Sequence, residues 1–270
     1  MPTCVTPQWH IDVPGTRWFR ADLHVHTLDD HPCSEFKWPA GVCGEPNNEE
    51  VQSLYAKKFL KNAIEKQIEV IGLTPHAIRS SQTSDSSATW AIVDEWLTGV
   101  DNDGIAFKDK IYAIFPGFEP SLYNGAAGLH LLFLFDPSIG KQAYFDAYSE
   151  VMGAVPAWQG NSLNMSNKSA WEAFNSLHTL QLRLKPDWNY ICLAAHAFGE
   201  KGLFKLQSQV LGAFPHQYIS GLQLGNSMIP ERAYMNKPWL KDSMKEYHQG
   251  FFHSSDSYSF DDIGSFFFNV

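Results

Sequence analysis

The feature that most constrains this chain is the way its short apolar runs end. Most stretches that read as strands give way to a histidine or a carboxylate. Trp18 to Leu23 leads into His24 and His26, in ADLHVHT, and Glu69 to Thr74 leads into His76, in IGLTPHA. Lys110 to Phe118 leads into Glu119, in FPGFEPS; Tyr190 to Ala195 leads into His196, in AAHAFGE; Gly250 to Ser254 leads to Asp256, in FHSSDSY. Between these runs lie segments with helical apolar spacing. The clearest is Glu49 to Gln67, where Val51, Leu54, Tyr55, Phe59, Ala63 and Ile64 recur and lysines fill the other face. Further helices are expected over Ala91 to Leu97, Ile139 to Gly153, Trp171 to Leu184 and Tyr234 to His248. Leu129 to Phe135 and Tyr218 to Leu224 read as strands. Short strands alternating with longer helices predict an α/β fold built from βαβ units with parallel strands. The strands lack polar–apolar alternation, as expected where both faces are buried. The pattern leaves open whether the sheet is open or closed into a barrel.

Active sites in such folds gather where strands end and loops begin. Extended residues two apart share a side, so His24 and His26 can face one ion. His130 is the exception. It stands at the start of its strand, in GLHLLFLF, and joins the others only if that strand runs antiparallel or a neighbouring turn carries it in. One strand-end histidine is as a rule structural; six such sites together point to metal. Imidazole nitrogens with carboxylate oxygens suit Zn, Mn or Fe.

Composition narrows the choice. At 270 residues and 44% hydrophobic, the chain can bury a sizeable core, read here as one domain over 18–270 after an irregular lead-in over 1–17. The net charge is -9 and no basic run is visible, which argues against a broad electrostatic grip on nucleic acid or on an acidic membrane. A nuclease stays open, because bound divalent metals reverse the local field. No apolar stretch approaches a span of about 20 residues and no signal peptide is visible, so a cytoplasmic location with no membrane is expected. Cys4, Cys33, Cys43 and Cys192 show no CxxC spacing and are expected as free thiols, with a Cys33–Cys43 pair as the alternative. GxGxxG, GxxxxGK[ST] and GxSxG are all absent, and the serine pairs at 80–81 and 254–255 read as turn residues or caps. The chain ends on FFFNV, where three consecutive Phe either form a last strand or mark a cut from something longer.

DLHVHT, an isolated strand-end His, PGFE, a later AH and a terminal SSDS followed by IG resemble the polymerase-and-histidinol-phosphatase (PHP) superfamily, from about Phe19 to Gly264. The segment EPSLYNGAAGLHLLFLFDP looks most like PHP domains that precede an ABC- or SMC-like ATPase. The resemblance implies a distorted (β/α)7 TIM-like barrel, two or three divalent metals, and hydrolysis of phosphomonoesters or phosphodiesters. It implies His24 and His26 as HxH ligands, Glu119 as the carboxylate between two ions, His130 and His196 as ligands of the second ion, and Asp256 as the ligand closing the first. His76 and His31 match third-site positions. The chain departs from the pattern at Pro75, where a carboxylate is usual, and at Tyr258, where the last histidine is usual. Both departures touch the third metal.

The chemistry expected is attack by metal-activated water on a phosphate ester. His31, His76 or Asp256 would handle the leaving-group proton, and Tyr258 would donate its hydroxyl to a phosphate oxygen. Arg79 and Lys201, a few residues beyond His76 and His196, are candidates for reaching the phosphate. A phosphodiesterase or nuclease working with an ATPase domain or subunit, a phosphatase on a small phosphomonoester, and a non-catalytic metal-binding regulatory module are the readings the sequence supports.

Overall fold

The computed structural model describes residues 19–29, 49–76, 87–123, 128–152, 166, 168–184, 189–206, 216–225, 232–233, 235, 240–246, 249–257 and 259–264. Among these residues eight strands form one sheet: β1 (Ala21–Val25), β2 (Val70–Leu73), β3 (Ala113–Phe118), β4 (Ser121–Tyr123), β5 (Gly128–Phe135), β6 (Tyr190–Ala194), β7 (Gly221–Gln223) and β8 (Gly250–Phe252). The α-helices described with them are α1 (Glu49–Glu65), α2 (Ala88–Thr98), α3 (Lys141–Met152), α4 (Ala170–Leu184) and α5 (Leu240–Glu246). The α/β class follows directly.

The sheet is mixed, where the strand–helix alternation had pointed to parallel strands. Its order is β1-β2-β3-β5-β6-β7-β8, with β4 paired to β5 alone. The β1–β2–β3 and β6–β7–β8 ladders are parallel, but β5 runs antiparallel to β3, β4 and β6. The cause is local. Only nine residues separate β3 from β5, and β4 occupies three of them. That is too short for a crossover helix, so the chain returns as a hairpin. Nothing in the sequence pattern had marked the three-residue β4.

The sheet curls. Leu23 of β1, Phe115 of β3 and Phe252 of β8 pack with Leu132, Leu134, Leu193 and Ala195 in one small apolar cluster, so strands from both edges meet on the same face. Among the described residues the strand ladder does not close between β8 and β1. A single parallel bridge, Val25 to Ser257, links the first edge to the chain beyond β8.

The larger core lies between the sheet and its helices. On α1 the buried stripe is Tyr55, Ala56, Phe59, Leu60 and Ala63, which packs toward α2; Leu54, expected inside, is exposed. Phe118 packs against Phe133, Phe135, Tyr144 and Tyr148, so the aromatic excess concentrates where β3, β5 and α3 meet. The Tyr144 hydroxyl donates to the Gly117 carbonyl at 2.8 Å and ties α3 to the strand just ahead of Glu119. Gly117 has to be glycine, because a Cβ there would lie 2.3 Å from the Phe133 carbonyl oxygen. Helix α2 is capped by Ser87, whose side chain accepts from the Trp90 amide, and by buried Asp29, which accepts from the amides of Ala88 and Thr89.

No helix among the described residues is long and apolar enough to cross a membrane. Cys192 is a buried free thiol, and Cys4, Cys33 and Cys43 lie outside the described residues.

Candidate metal centre

The strand ends converge as their sequence positions imply, by four local devices. The β1–β2 register slips between Asp22 and Val25, placing an extra residue on β1; such bulges re-aim side chains beside active sites. The bridge beyond β8 then docks Ser257 between the two histidines: the His26 amide donates to its carbonyl at 3.0 Å, and its own amide donates to the His24 carbonyl at 3.3 Å. Asp256 is thereby held against the HxH pair. The Glu119 amide donates to the Pro75 carbonyl at 2.8 Å, which seats Glu119 beside His76. The antiparallel hairpin sets His130 opposite Ser121, two residues past Glu119, which is the first of the two routes by which His130 could join the others.

Glu119 is the hub and is fully buried. Its Oε1 lies 2.6 Å from His130 Nδ1 and 3.9 Å from His196 Nε2. Its Oε2 lies 2.9 Å from His24 Nε2, 3.2 Å from His76 Nε2 and 3.5 Å from His26 Nε2. Asp256 faces the same imidazoles, with Oδ1 3.2 Å from His26 Nε2 and 3.3 Å from His24 Nε2, and Oδ2 3.5 Å from His196 Nε2. The rings pack together, His26 stacking on His76 with centroids 4.4 Å apart.

Three overlapping donor groups result: His24, His196 and Asp256; His24, His26 and Glu119; His76, Glu119 and His130. Within each, the ligand atoms lie within 4.8 Å of one another. This grouping cuts across the pairing of His130 with His196, since His196 falls with His24 and Asp256 while His130 falls with His76.

The charges are strongly coupled. Burial raises the Glu119 carboxyl, but the imidazoles of His24, His76 and His130 outweigh it and hold the group well below the usual carboxylate range. Burial also opposes ionisation of Asp256, and the hydrogen bond from His26 with the charges of His24, His26 and His196 brings it below normal. Burial depresses His24, yet Glu119 and then Asp256 overcome this and leave it raised. His196 is lowered, by burial and then by the charge of His24.

The donor set fits divalent cations. Five imidazoles and two carboxylates converge, and His130 Nε2 is buried with no hydrogen-bond partner among the described residues.

Three residues with large roles here are not among the site residues named from the sequence. Gln223, at the end of β7, accepts from the His24 ring and the His196 amide. Asp29 fastens Thr27, Ser87 and the start of α2. Asp22 is the acid beside the HxH pair. It accepts from the hydroxyls of Ser254 and Ser255, the Ser255 amide and the Gly264 amide. The serines at 254–255 therefore act as donors to a buried acid. Gly264 closes this clamp at φ +68, where a Cβ would also lie 2.6 Å from Ile68 Cδ1. Lys201 is exposed, and its carbonyl accepts from the His130 amide. His31, Arg79 and Tyr258 lie outside the described residues.

No protein-family model matches this chain. No curated protein matches it either. Among solved structures it is similar to a "putative metal-dependent phosphoesterase" from Bifidobacterium adolescentis, with 13% identity, a TM-score of 0.47, and coverage of 88% of this chain and 87% of that one. The functional reading therefore stands on the donor cluster itself.

Proposed function

We propose that this chain is a metal-dependent phosphoesterase acting on a phosphodiester, with a small phosphomonoester as the alternative substrate. The observation that carries it is the posture of Glu119: one buried carboxylate presents its two oxygens to different imidazoles, Oε1 to His130 and Oε2 to His24 and His76. That is the arrangement a shared ligand of two cations requires. DLHVHT and the SSDS ending, with their likeness to the PHP superfamily, support the same reading.

His24, His26 and Glu119 would hold one cation, and His76, Glu119 and His130 another, with His196 and Asp256 closing the cluster. Bound divalent cations supply Lewis acidity and lower the pKa of a coordinated water toward neutrality. The residues set where substrate enters. The side chains of His24, His26, His76, Glu119 and His130 are at most 6% exposed, whereas those of His196 and Asp256 are 32% and 29% exposed. His196 and Asp256 therefore form the open rim, and the buried imidazoles exclude bulk water beneath it.

The test is hydrolysis of bis-p-nitrophenyl phosphate, p-nitrophenyl phosphate and short DNA and RNA oligomers with Mn²⁺ or Zn²⁺, alongside elemental analysis. The expected result is more than one metal per chain and cation-dependent, chelator-sensitive turnover that is faster on the diester. Faster turnover of the monoester selects the alternative. Bound metal with no turnover on any substrate overturns the enzymatic reading in favour of a regulatory metal module.

A further inference from the structure

We infer that Gln223 is a positioning residue that fixes the proton of His24 and the backbone of His196 through one amide oxygen; the inference rests on the metal-centre reading above. Gln223 ends β7 and is buried, 3% exposed. Its Oε1 lies 2.9 Å from His24 Nδ1 and 3.1 Å from the His196 amide nitrogen. Its main-chain carbonyl accepts from the next amide, that of Ala197, at 3.0 Å. One residue thus holds two consecutive N–H groups of the turn that carries His196.

Polarity propagates along this path. A backbone N–H can only donate, so the atom facing the His196 amide has to be the amide oxygen. An amide oxygen can only accept, so His24 has to present Nδ1–H to it. In a neutral His24 the lone pair is then left on Nε2, which faces Glu119 Oε2, 2.9 Å away, and Asp256 Oδ1, 3.3 Å away, whereas a doubly protonated ring donates to these carboxylates. A neutral His24 in this tautomer offers a cation a lone pair; in the other tautomer it would offer a proton. Acceptors that bond the far ring nitrogen of a metal-binding histidine act in this way.

The second hold matters because His196 sits at φ +43, in the left-handed region that residues bearing a Cβ rarely enter. The oxygen that sets His24 also fixes the amide of that turn. His24, His196 and Asp256 form one donor group, so Gln223 governs two of its three members.

The test compares wild type with Gln223→Met, which keeps the length and loses the acceptor, and Gln223→Glu, which keeps an oxygen in place. Long-range ¹H–¹⁵N NMR of cation-free protein under alkaline conditions reads the His24 tautomer. Wild type and Gln223→Glu are expected to show Nδ1–H, and Gln223→Met a mixture or Nε2–H. Zn²⁺ affinity, from competition with a chromophoric chelator, is expected to fall about ten- to a hundredfold in Gln223→Met and to be restored in Gln223→Glu. A wild-type protein with His24 as Nε2–H overturns the inference without any variant. So does a Gln223→Met protein with unchanged tautomer and unchanged affinity. A wild type that shows Nδ1–H but takes up no cation overturns the metal-centre reading and leaves the proton assignment standing.

Discussion

The two halves of the donor cluster are built differently. His76, Glu119 and His130 are all buried, and none has a positive φ; their places come from strand geometry, with Glu119 immediately after β3 and His130 third in β5. His196 and Asp256 are about one-third exposed and sit at φ +43 and +50, two of the three non-glycine residues with positive φ among those described. Their places come from side-chain clamps: Gln223 on the His196 turn, and Asp22 on Ser254 and Ser255 beside Asp256. A site can thus combine a stiff floor, made by the sheet, with a rim held by a few polar contacts. Strain concentrates in the rim, as it does at many functional sites.

The largest effect is expected from the floor. Glu119→Gln leaves one neutral acceptor where a carboxylate faced several imidazoles, so the two groups that share it should lose their cations together. Turnover should fall about a hundred- to a thousandfold. Elemental analysis and steady-state kinetics check this, and near-normal metal content with near-normal rate would remove Glu119 from the centre of the comparison.

Next comes the clamp on Asp256. Asp22→Ala deletes a buried acceptor of four hydrogen bonds and leaves the buried Ser254 donor, with the part-buried donors of Ser255 and Gly264, without it. Bonds to a buried charge are individually strong, so the loss should reach about 3 kcal/mol in urea denaturation. Ser254→Ala removes one of the four, and Ser255 and Gly264 still hold the acid. It should cost about 1 kcal/mol, with metal content preserved. Equal costs for the two variants would show that Asp22 works mainly through Ser254.

The difference between floor and rim also explains what could be read from the sequence. The floor was legible because burial, strand length and chemistry coincide: IGLTPH, FPGFE and GLHLLFLF each place an apolar run against a ligand type. Even the condition on His130, an antiparallel strand or a neighbouring turn, followed from its place at the strand's start. The rim was legible only as ligand types. His196 and Asp256 could be named, but their left-handed backbones could not, because positive φ without glycine leaves no local mark. Gln223 was invisible for a related reason: GLQLG is an ordinary buried strand, and its amide matters only once β7 lies beside β6. Asp22 was visible beside the HxH motif, but its partners lie 232 to 242 positions away. The curl of the sheet could not be read from the strand pattern, since it depends on Leu23 and Phe252 meeting across the whole chain; only the family resemblance implied it, as a barrel.

The smallest expected effect gives the sharpest contrast, because it should change sign between the two halves. Replacing His196 by Ala or by Gly removes the same imidazole, so loss of the ligand cancels when the two variants are compared. What remains is the Cβ. At φ +43 the Cβ is a burden, and glycine enters that region at no steric cost. His196→Gly should therefore be more stable than His196→Ala by about 1 kcal/mol. At His130, in the extended backbone of β5, the order should reverse. Glycine there loses more conformational freedom on folding, and His130→Gly should be less stable than His130→Ala by about 1 kcal/mol. Urea denaturation of the four cation-free proteins measures both differences without reference to activity. Opposite signs would establish that the rim stores backbone strain and the floor does not. The same sign at both positions would mean that the left-handed turn at His196 is unstrained, and that exposure alone separates the two halves.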